Sequence, residues 1–422
     1  MYVFSKLIEA EKALEQFIPA QLPRPAYTLE HVAAFMEYAG NPQDKVKAIH
    51  LAGTSGKTSS AYYAAALLKA AGKKVGLLTS PHVETITERV QVNLEPLSEK
   101  LFCQELADFM NLVEASQIQL SYAEILYAFA FWEFARLRVD YMVIETGLGG
   151  LLDATNIMQR EDKVCAITDI SLDHTNVLGK TLPEIAEQKA GIIKLHSTVF
   201  TYHQAPEIMH ELETACRQRQ ASLHTIPQPG PDSTLTISFL PLFQQRNFLL
   251  AQAAVEYVAK RDGLPPMSAA QTQAAAGVHI PGRMESIQYG HHTIILDGAH
   301  NPQKLAALRT SVAARYANRP VAAMVSFIQG GGRDLVAMLR ELEPLYAHVI
   351  VTVPAAIDDR HAWYGAKDIA AAAQAAGVAS LEVIADYHQA LQRFLQRPED
   401  ILVVTGSLYA LAPVHRYVLQ HR

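Results

Sequence analysis

Only three cysteines, Cys103, Cys165 and Cys216, occur in 422 residues, far apart and without a CxxC pair. That excludes a disulfide framework and a thiolate zinc cluster, and it predicts buried, reduced thiols in the cytoplasm. An excess of positive charge is missing too. The 36 Lys and Arg against 42 Asp and Glu leave a net charge of −6, which argues against a protein that neutralises many nucleic-acid phosphates. Long apolar runs are absent. The most apolar window, ILYAFAFWEFARL, is broken by Glu133 and Arg136 and is too short to span a bilayer. The opening MYVFSKLIEAEKALEQFI carries acidic residues where a signal peptide needs an apolar core, so no leader is expected. There is no short-period repeat and no low-complexity tract. What remains is a chain that is half hydrophobic and 18% charged, the profile of a globular enzyme of two or three domains.

Hydrophobic patterning predicts an α/β protein. A helix is expected over about 29–39, ended by the Gly and Pro of AGNPQ. KAIHLAG, KKVGLLTS, VDYMVIET and KVCAITDI read as buried strands, with helices from about Lys57 to Ala71 and over SYAEILYAFAFWEFARL between them. TLPEIAEQKAGIIK opens with a capping box, Thr181 with Glu184. Residues 203–238 read as less regular. A second alternating series, HTIILD, RPVAAMVSF, AHVIVTV, SLEVIA and DILVVTG, follows the turn-rich VHIPGRMES. Such alternation implies right-handed βαβ units and mostly parallel sheets. Two α/β domains are expected, 1–280 and 281–422.

HLAGTSGKTSS, at 50–60, lies between a predicted strand and a predicted helix, as a phosphate loop requires. A standard GxxxxGK[ST] loop would need glycine where Leu51 stands. Gly53 and Gly56 still let the backbone approach an anion, and the helix N-terminus presents N–H groups to it. Lys57 can reach the β- and γ-phosphates, and Thr58 or Ser59 can offer a hydroxyl to Mg²⁺. The plain alternative is a tight glycine turn with an exposed lysine.

Ligands of open parallel sheets gather beyond the carboxyl ends of the strands. VDYMVIE ends there at Glu145, followed by the flexible TGLGG, and ITDISLDH places Asp173 and His174 beyond another strand. Glu145 and His174 are therefore candidate metal ligands, although a histidine is unusual for Mg²⁺. Their structural alternatives are a solvated strand end and a helix cap.

HLAGTSGKTSS, TSPHVETITERVQVN, ETGLGGLLDATN, ITDISLDHTNVLGKTLPEIAEQKAGIIK, PGRMES, LDGAHNP and VVTGSLY occur in this order between about residues 40 and 410. In them the chain resembles the folylpolyglutamate synthase/dihydrofolate synthase family of the Mur-type ligases. The resemblance implies an N-terminal, P-loop-type Mur ligase central domain with a mostly parallel sheet flanked by helices, and a smaller Rossmann-like C-terminal domain. It implies that ATP and Mg²⁺ drive ligation of L-glutamate to a folate-type acceptor through an acyl phosphate, in a cytoplasmic monomer that binds neither nucleic acid nor membrane. The GTxGK[TS][ST] loop is the short version these ligases use, so Leu51 is no defect. By the resemblance, Gly53, Thr54, Ser55, Gly56, Lys57, Thr58 and Ser59 hold the phosphates, and Ser59, Glu145 and His174 the magnesium. Lys189 matches a lysine often carbamylated to ligate a second Mg²⁺, with Gln188 where Glu is usual. An unmodified Lys189 on a solvated helix face is the alternative. Gln244 and Asn247 match a nucleobase-contacting pair, with Phe243 where His is common. Arg283, Asp297, His300 and Asn301 match residues that reach the ATP from the second domain. Lys57, Glu145, His174, Lys189, Asp297 and His300 form the implied catalytic set. Ser80, His82, Ser121, Asp153 and Ala154 are the implied acceptor residues.

The departures cluster where a pteridine would bind. Leu151 stands where the family usually has Arg after GLGG, and Ser121 and Ala123 replace a Thr-x-Phe pattern. Asp153 remains available to a pterin-like ring, or else caps its own turn. Arg333-Asp334 replaces the usual Lys-Asp. A Mur-type ligase for another carboxylate is the second reading. A nucleotide-binding regulator without catalysis is the third, disfavoured by Lys57, Glu145, His174 and Asp297.

Overall fold

The computed structural model describes residues 1–18, 28–227, 237–317, 319–330, 334–342, 345–353 and 362–421; Arg333 lies outside them. The chain divides into two compact units. The first comprises Met1–Leu172, Leu178–Leu240 and Gln244–Val278, and the second Asp173–Val177, Pro241–Phe243 and His279–Arg422.

Among the described residues, the first unit is built on an eight-stranded sheet. Its strands are β1 (Lys47–Ala52), β2 (Val75–Leu78), β3 (Val90–Val92), β4 (Glu95–Pro96), β5 (Tyr141–Glu145), β6 (Val164–Ile167), β7 (Thr198–Tyr202) and β8 (Ser222–Ile226), in the order β4-β3-β2-β5-β1-β6-β7-β8. β1, β2, β5, β6, β7 and β8 run parallel, and β3 and β4 add an antiparallel edge. Register decides where the chemistry lies. Leu51 pairs with Glu145 and Ala52 with Ile167, so β1, β5 and β6 finish side by side.

Layers of helix cover both faces because strands inside a parallel sheet are apolar on both sides. The helix Tyr122–Arg136 buries an unbroken run from Ile125 to Phe131, and Phe102 and Phe109 pack edge-on and tilted against its Phe129. A helix apolar all round belongs in a core.

Residues 203–238, expected to be irregular, contain a helix, Pro206–Gln218, and the edge strand β8; 228–236 lie outside the described residues. The helix buries Ile208, Met209, Leu212 and Cys216 on one stripe. Its polar face of Glu, His, Gln and Arg disguises the stripe in sequence. The β3–β4 hairpin was also unforeseen: Asn93 and Leu94 both have positive φ, a tight turn in which Leu takes the place of the usual Gly.

The second unit carries a six-stranded sheet of β9 (Glu285–Tyr289), β10 (His292–Leu296), β11 (Val321–Val325), β12 (Tyr346–Val351), β13 (Leu381–Val383) and β14 (Ile401–Thr405), ordered β13-β12-β11-β14-β10-β9. The five expected strands are parallel. β9 pairs antiparallel with β10 and begins at the end of the turn-rich PGRMES segment, whose turn residues masked it.

Candidate active site

The loop after β1 is shaped by two glycines that tolerate no side chain. Gly53 has φ 150°, and a Cβ there would come 1.8 Å from Thr168 Oγ1. Gly56 has φ 94°, and a Cβ would come 2.4 Å from Asn247 Oδ1. Thr54 and Ser55 donate their N–H groups to the Asp169 carbonyl at 2.7 and 3.2 Å, which ties the loop to the exit of β6. Thr54 Oγ1 donates to the Ser171 carbonyl and accepts from Ser171 N, both at 3.1 Å. Lys57 opens the helix Lys57–Ala70 and donates Nζ to the Gly53 carbonyl at 3.0 Å, closing the ring of the loop. The first-turn N–H groups of that helix have no intrahelical acceptor, the physical basis of an anion site.

Thr58 Oγ1 donates to Glu145 Oε1 at 2.8 Å, and Ser80 N donates to Oε2 at 3.2 Å. Glu145 is 2% exposed. The loop hydroxyl beside the acid is thus that of Thr58, whereas the Ser59 side chain is buried within the helix layer. Ser80, expected among acceptor residues, touches the acid itself; it follows β2, a third strand ending at the same sheet edge, and that topology was the signal in the sequence. Its Oγ lies 3.4 Å from the hydroxyl of Tyr127, a residue that sequence reasoning passed over because it sits mid-helix in an apolar run.

Asn247 braces the loop rather than standing apart from it. Its backbone carbonyl accepts from Ser60 Oγ at 3.2 Å, and its Oδ1 accepts from Tyr202 OH at 3.3 Å. Its Nδ2 donates to Gln244 Oε1 at 3.3 Å. The neighbouring Arg246 lies over Tyr202 and pairs with Asp169 at 2.7 Å. Phe243, partly buried, packs against the core of the second unit.

Among the implied acceptor residues, His82 Nδ1 accepts from Arg89 Nε at 2.9 Å. Ser121 caps the apolar helix, its N–H given to Glu124 at 2.7 Å. Asp153 caps its own turn: Oδ2 accepts from Gly147 N and Leu148 N, and Oδ1 from Thr155 N and Oγ1. Ala154 begins the short turn that follows and is buried.

Lys189 is 3% exposed, so the solvated-face alternative is wrong. It sits near the end of the helix Leu182–Ala190, where Leu151 N donates to the Gln188 carbonyl at 2.7 Å. Asn156 Nδ2 joins the carbonyls of Leu151 and Gly191, both at 2.9 Å, so the GLGG segment is pinned to the helix end that carries Lys189.

In the second unit, His174 has φ 50°, a left-handed conformation uncommon for a non-glycine residue. Its N–H is held by Asp173 Oδ1 at 3.0 Å. Asp173 Oδ2 accepts from Asn301 Nδ2 at 3.2 Å and faces Lys304 Nζ at 3.6 Å and His300 Nε2 at 4.0 Å. His300 Nδ1 meets the Gly298 carbonyl at 2.9 Å, which assigns the proton to Nδ1 and leaves Nε2 to accept from Lys304 at 3.1 Å. Asp297 accepts from Met284 N and Ala299 N, both at 2.9 Å; burial pushes its carboxyl up and Arg283 pulls it back. Arg283 Nη1 donates to the Gly282 carbonyl at 2.9 Å. These residues form one polar cluster at the exit of β10.

Among the described residues, no three His, Cys, Asp or Glu side chains gather as a ready metal cage. Magnesium does not need one: it takes one or two carboxylates and fills its shell with water and phosphate oxygen. A buried Glu145 flanked by a hydroxyl and an N–H at the mouth of a phosphate loop fits that habit.

Two family models match the chain: the Mur ligase middle domain over residues 51–225, and the Mur ligase glutamate ligase domain over residues 282–408. A dihydrofolate synthase/folylpolyglutamate synthase of Bacillus subtilis is 31% identical, with 92% of this chain and 94% of that protein aligned. A folylpolyglutamate synthase of Lacticaseibacillus casei is 30% identical over 94% of this chain and 96% of its own. Among solved structures, a bifunctional folylpolyglutamate synthase/dihydrofolate synthase from Yersinia pestis, complexed with AMPPNP and a manganese ion, superposes with a TM-score of 0.84 at 25% identity, covering 98% of both chains. A Mycobacterium tuberculosis folylpolyglutamate synthase complexed with ADP and AMPPCP gives 0.82 at 26% identity, again over 98% of both. The helix-capped loop, its acid and the domain pair lead to one conclusion: the chain belongs to the dihydrofolate synthase/folylpolyglutamate synthase family of Mur-type ligases.

Proposed function

We propose that this protein joins L-glutamate to a folate-type carboxylate at the expense of ATP, as a dihydrofolate synthase, a folylpolyglutamate synthase or both. The observation that carries the reading is Glu145, a buried carboxylate held by Thr58 Oγ1 and Ser80 N where the phosphate loop opens. A carboxylate is a poor electrophile. Its oxygen attacks the γ-phosphorus of ATP, ADP leaves, and the acyl phosphate then carries a good leaving group. The amine of glutamate attacks the acyl carbon and phosphate departs.

The chain's own residues position and neutralise. Lys57, which now bridges to Gly53 O, turns its ammonium to the β- and γ-oxygens, and the first-turn N–H groups of its helix hold the same phosphates. Glu145, with Thr58 and Ser80 beside it, holds Mg²⁺, for which we also assign His174. That ion supplies positive charge opposite the charge developing on the phosphates. Arg283, Asp297, His300 and Asn301 bind nucleotide from the second unit in this reading. Lys189 is the candidate for a carbamate: its neutral amine would capture CO₂ and replace a buried cation with an anion. Buried thiols at Cys103, Cys165 and Cys216 support a cytoplasmic enzyme, and we take it to act as a monomer. No helix among the described residues is long and apolar enough to cross a membrane.

A non-folate acceptor is the second reading, favoured by Leu151 and Leu152, which are 37% and 44% exposed beside the GLGG segment. ADP release should be measured with dihydropteroate and with tetrahydrofolate, each with glutamate, and the products weighed. Glutamyl addition to either acceptor is expected. Turnover with other acid–amine pairs but no folate would overturn the reading and favour the second.

A further inference from the structure

A chain of buried polar side chains runs through the first unit beneath the segment that leaves β5, and the chemistry above leaves its inner members idle. It begins at Asp153, whose four donors are Gly147 N at 2.9 Å, Leu148 N at 2.8 Å, Thr155 N at 3.0 Å and Thr155 Oγ1 at 2.5 Å. Burial raises the Asp153 carboxyl, while three backbone N–H donors and the Thr155 hydroxyl pull it back toward the ionised form. Thr155 therefore spends its one hydroxyl proton on Asp153. Its oxygen must accept from His50 Nε2, 2.8 Å away. That fixes His50 as the Nε2–H tautomer with a bare Nδ1. Facing that bare nitrogen at 3.5 Å is Lys163 Nζ, on a side chain 0% exposed.

We propose that Lys163, His50 and Thr155 are positioning residues for the ligation: a polarised relay that holds Asp153 ionised and aimed at the Gly147 and Leu148 N–H groups, fixing the backbone that leaves Glu145. The inference rests on the ligase reading for its activity test. Donor-to-acceptor polarity runs one way along the relay, from ammonium through imidazole and hydroxyl to carboxylate, so each bond strengthens the next. The far end is tightly seated. A Cβ at Gly147 would come 2.0 Å from Tyr127 OH and 3.3 Å from Asp153 Oδ2, so that segment has little room to shift.

The near end looks costly for stability alone. Cys165 of β6, Lys194 and Asp44 are the other titratable groups acting on Lys163. Burial, with Lys194 adding to it, pushes the Lys163 ammonium down to about 8. Burial and the charges of Lys163 and Lys194 keep His50 neutral. A buried lysine with a lowered pKa is a burden on the fold below that pKa. A purely structural role would be better served by an apolar side chain.

The test uses the full-length enzyme and the variants T155V, T155S and K163M. T155V keeps the shape and removes the hydroxyl. It should lower kcat about tenfold, near the worth of one hydrogen bond to a charged group, with the KM for ATP held within about twofold. T155S should restore kcat. K163M should lower kcat below pH 8 and abolish the fall in kcat that the wild type shows as the ammonium is lost above pH 8, without lowering Tm. Nitrogen-15 shifts of His50 read the relay without any substrate, and the Nε2–H tautomer is expected at neutral pH. An Nδ1–H tautomer, wild-type kcat in both T155V and K163M, or losses that merely track a lowered Tm with an unchanged pH profile would overturn the proposal. If the wild type turns over no folate acceptor, the function proposal falls, while the His50 tautomer still decides the wiring.

Discussion

The hydroxyl of Thr58 donates to Glu145 across two adjacent strand ends, at 2.8 Å. One residue comes from the helix after β1 and the other from the last position of β5, and the Leu51–Glu145 register brings them together. Charge at that point should decide turnover more than folding. Glu145→Gln preserves size and removes the anion, so ADP release should fall by about 10²–10³-fold, the scale of losing one well-placed electrostatic group. Thr58→Val should cost about tenfold. Steady-state ADP release against Mg²⁺ concentration checks both. A Glu145→Gln enzyme with unchanged turnover would remove this acid from the site.

Gly56 and Gly72 both have positive φ, 94° and 76°, yet only Gly56 is crowded. At Gly72 nothing lies within 4 Å of a built Cβ, whereas at Gly56 it would meet Asn247 Oδ1 at 2.4 Å. Gly72→Ala should therefore lose about 1 kcal/mol of stability to backbone strain alone and bind ATP normally. Gly56→Ala should lose about 2–3 kcal/mol and displace the Asn247 brace. Paired thermal unfolding and nucleotide calorimetry distinguish a clash at the loop from a strained backbone in general.

The phosphate loop was legible because its glycines, lysine and hydroxyls are contiguous and sit between a strand and a helix. The parallel sheets were legible because their central strands are apolar on both faces. What escaped was contact between distant segments. Nothing near Asn247 announces that its amide will pack on Gly56, and although capping of its own turn was one of two readings for Asp153, LDATN does not reveal Gly147 and Leu148 as its partners. The helix Pro206–Gln218 escaped for a different reason, since half of its surface is charged and its apolar stripe is narrow. Strand β9 escaped because Gly and Pro just before it read as a turn. The residues alone left Thr58 and Ser59 open as the loop hydroxyl, and the resemblance implied Ser59; the hydroxyl that meets the acid is that of Thr58.

Glu133 should make the first unit less stable as pH rises. It is fully buried beside Glu105, with Arg136 Nε at 3.5 Å, and desolvation together with the Glu105 charge pushes it up to about 7. With a folded pKa above the unfolded one, the native state holds the extra proton between about pH 4.5 and 7. Stability is then full below that window and declines through it, by a total on the order of 3 kcal/mol. Glu133→Gln should flatten the dependence. Trp132 belongs to the first unit and Trp363 to the second, so Trp363→Phe leaves Trp132 as the reporter. Urea midpoints at pH 5 and pH 8 measure the slope, and a midpoint that rises with pH would contradict the assignment.

Asn301 does two jobs in the second unit, and a single substitution can separate them. Its Oδ1 accepts from Lys304 N at 2.9 Å, capping the helix Pro302–Arg315, while its Nδ2 donates to Asp173 at 3.2 Å. Asn301→Ser keeps a capping oxygen and drops the donation to Asp173, so a loss of about 1–2 kcal/mol is expected. Asn301→Asp caps at least as well, but it sets a second carboxylate against a buried one. The lysine at 3.6 Å offsets only part of that repulsion. The aspartate variant should therefore be the less stable of the two, despite being the better helix cap, by about 1–2 kcal/mol further. Urea unfolding followed through Trp363 in a Trp132→Phe background reads the second unit directly. An aspartate variant as stable as the serine one would mean that Asp173 is held chiefly by Lys304, and that the amide contributes little to aligning the turn that carries His174.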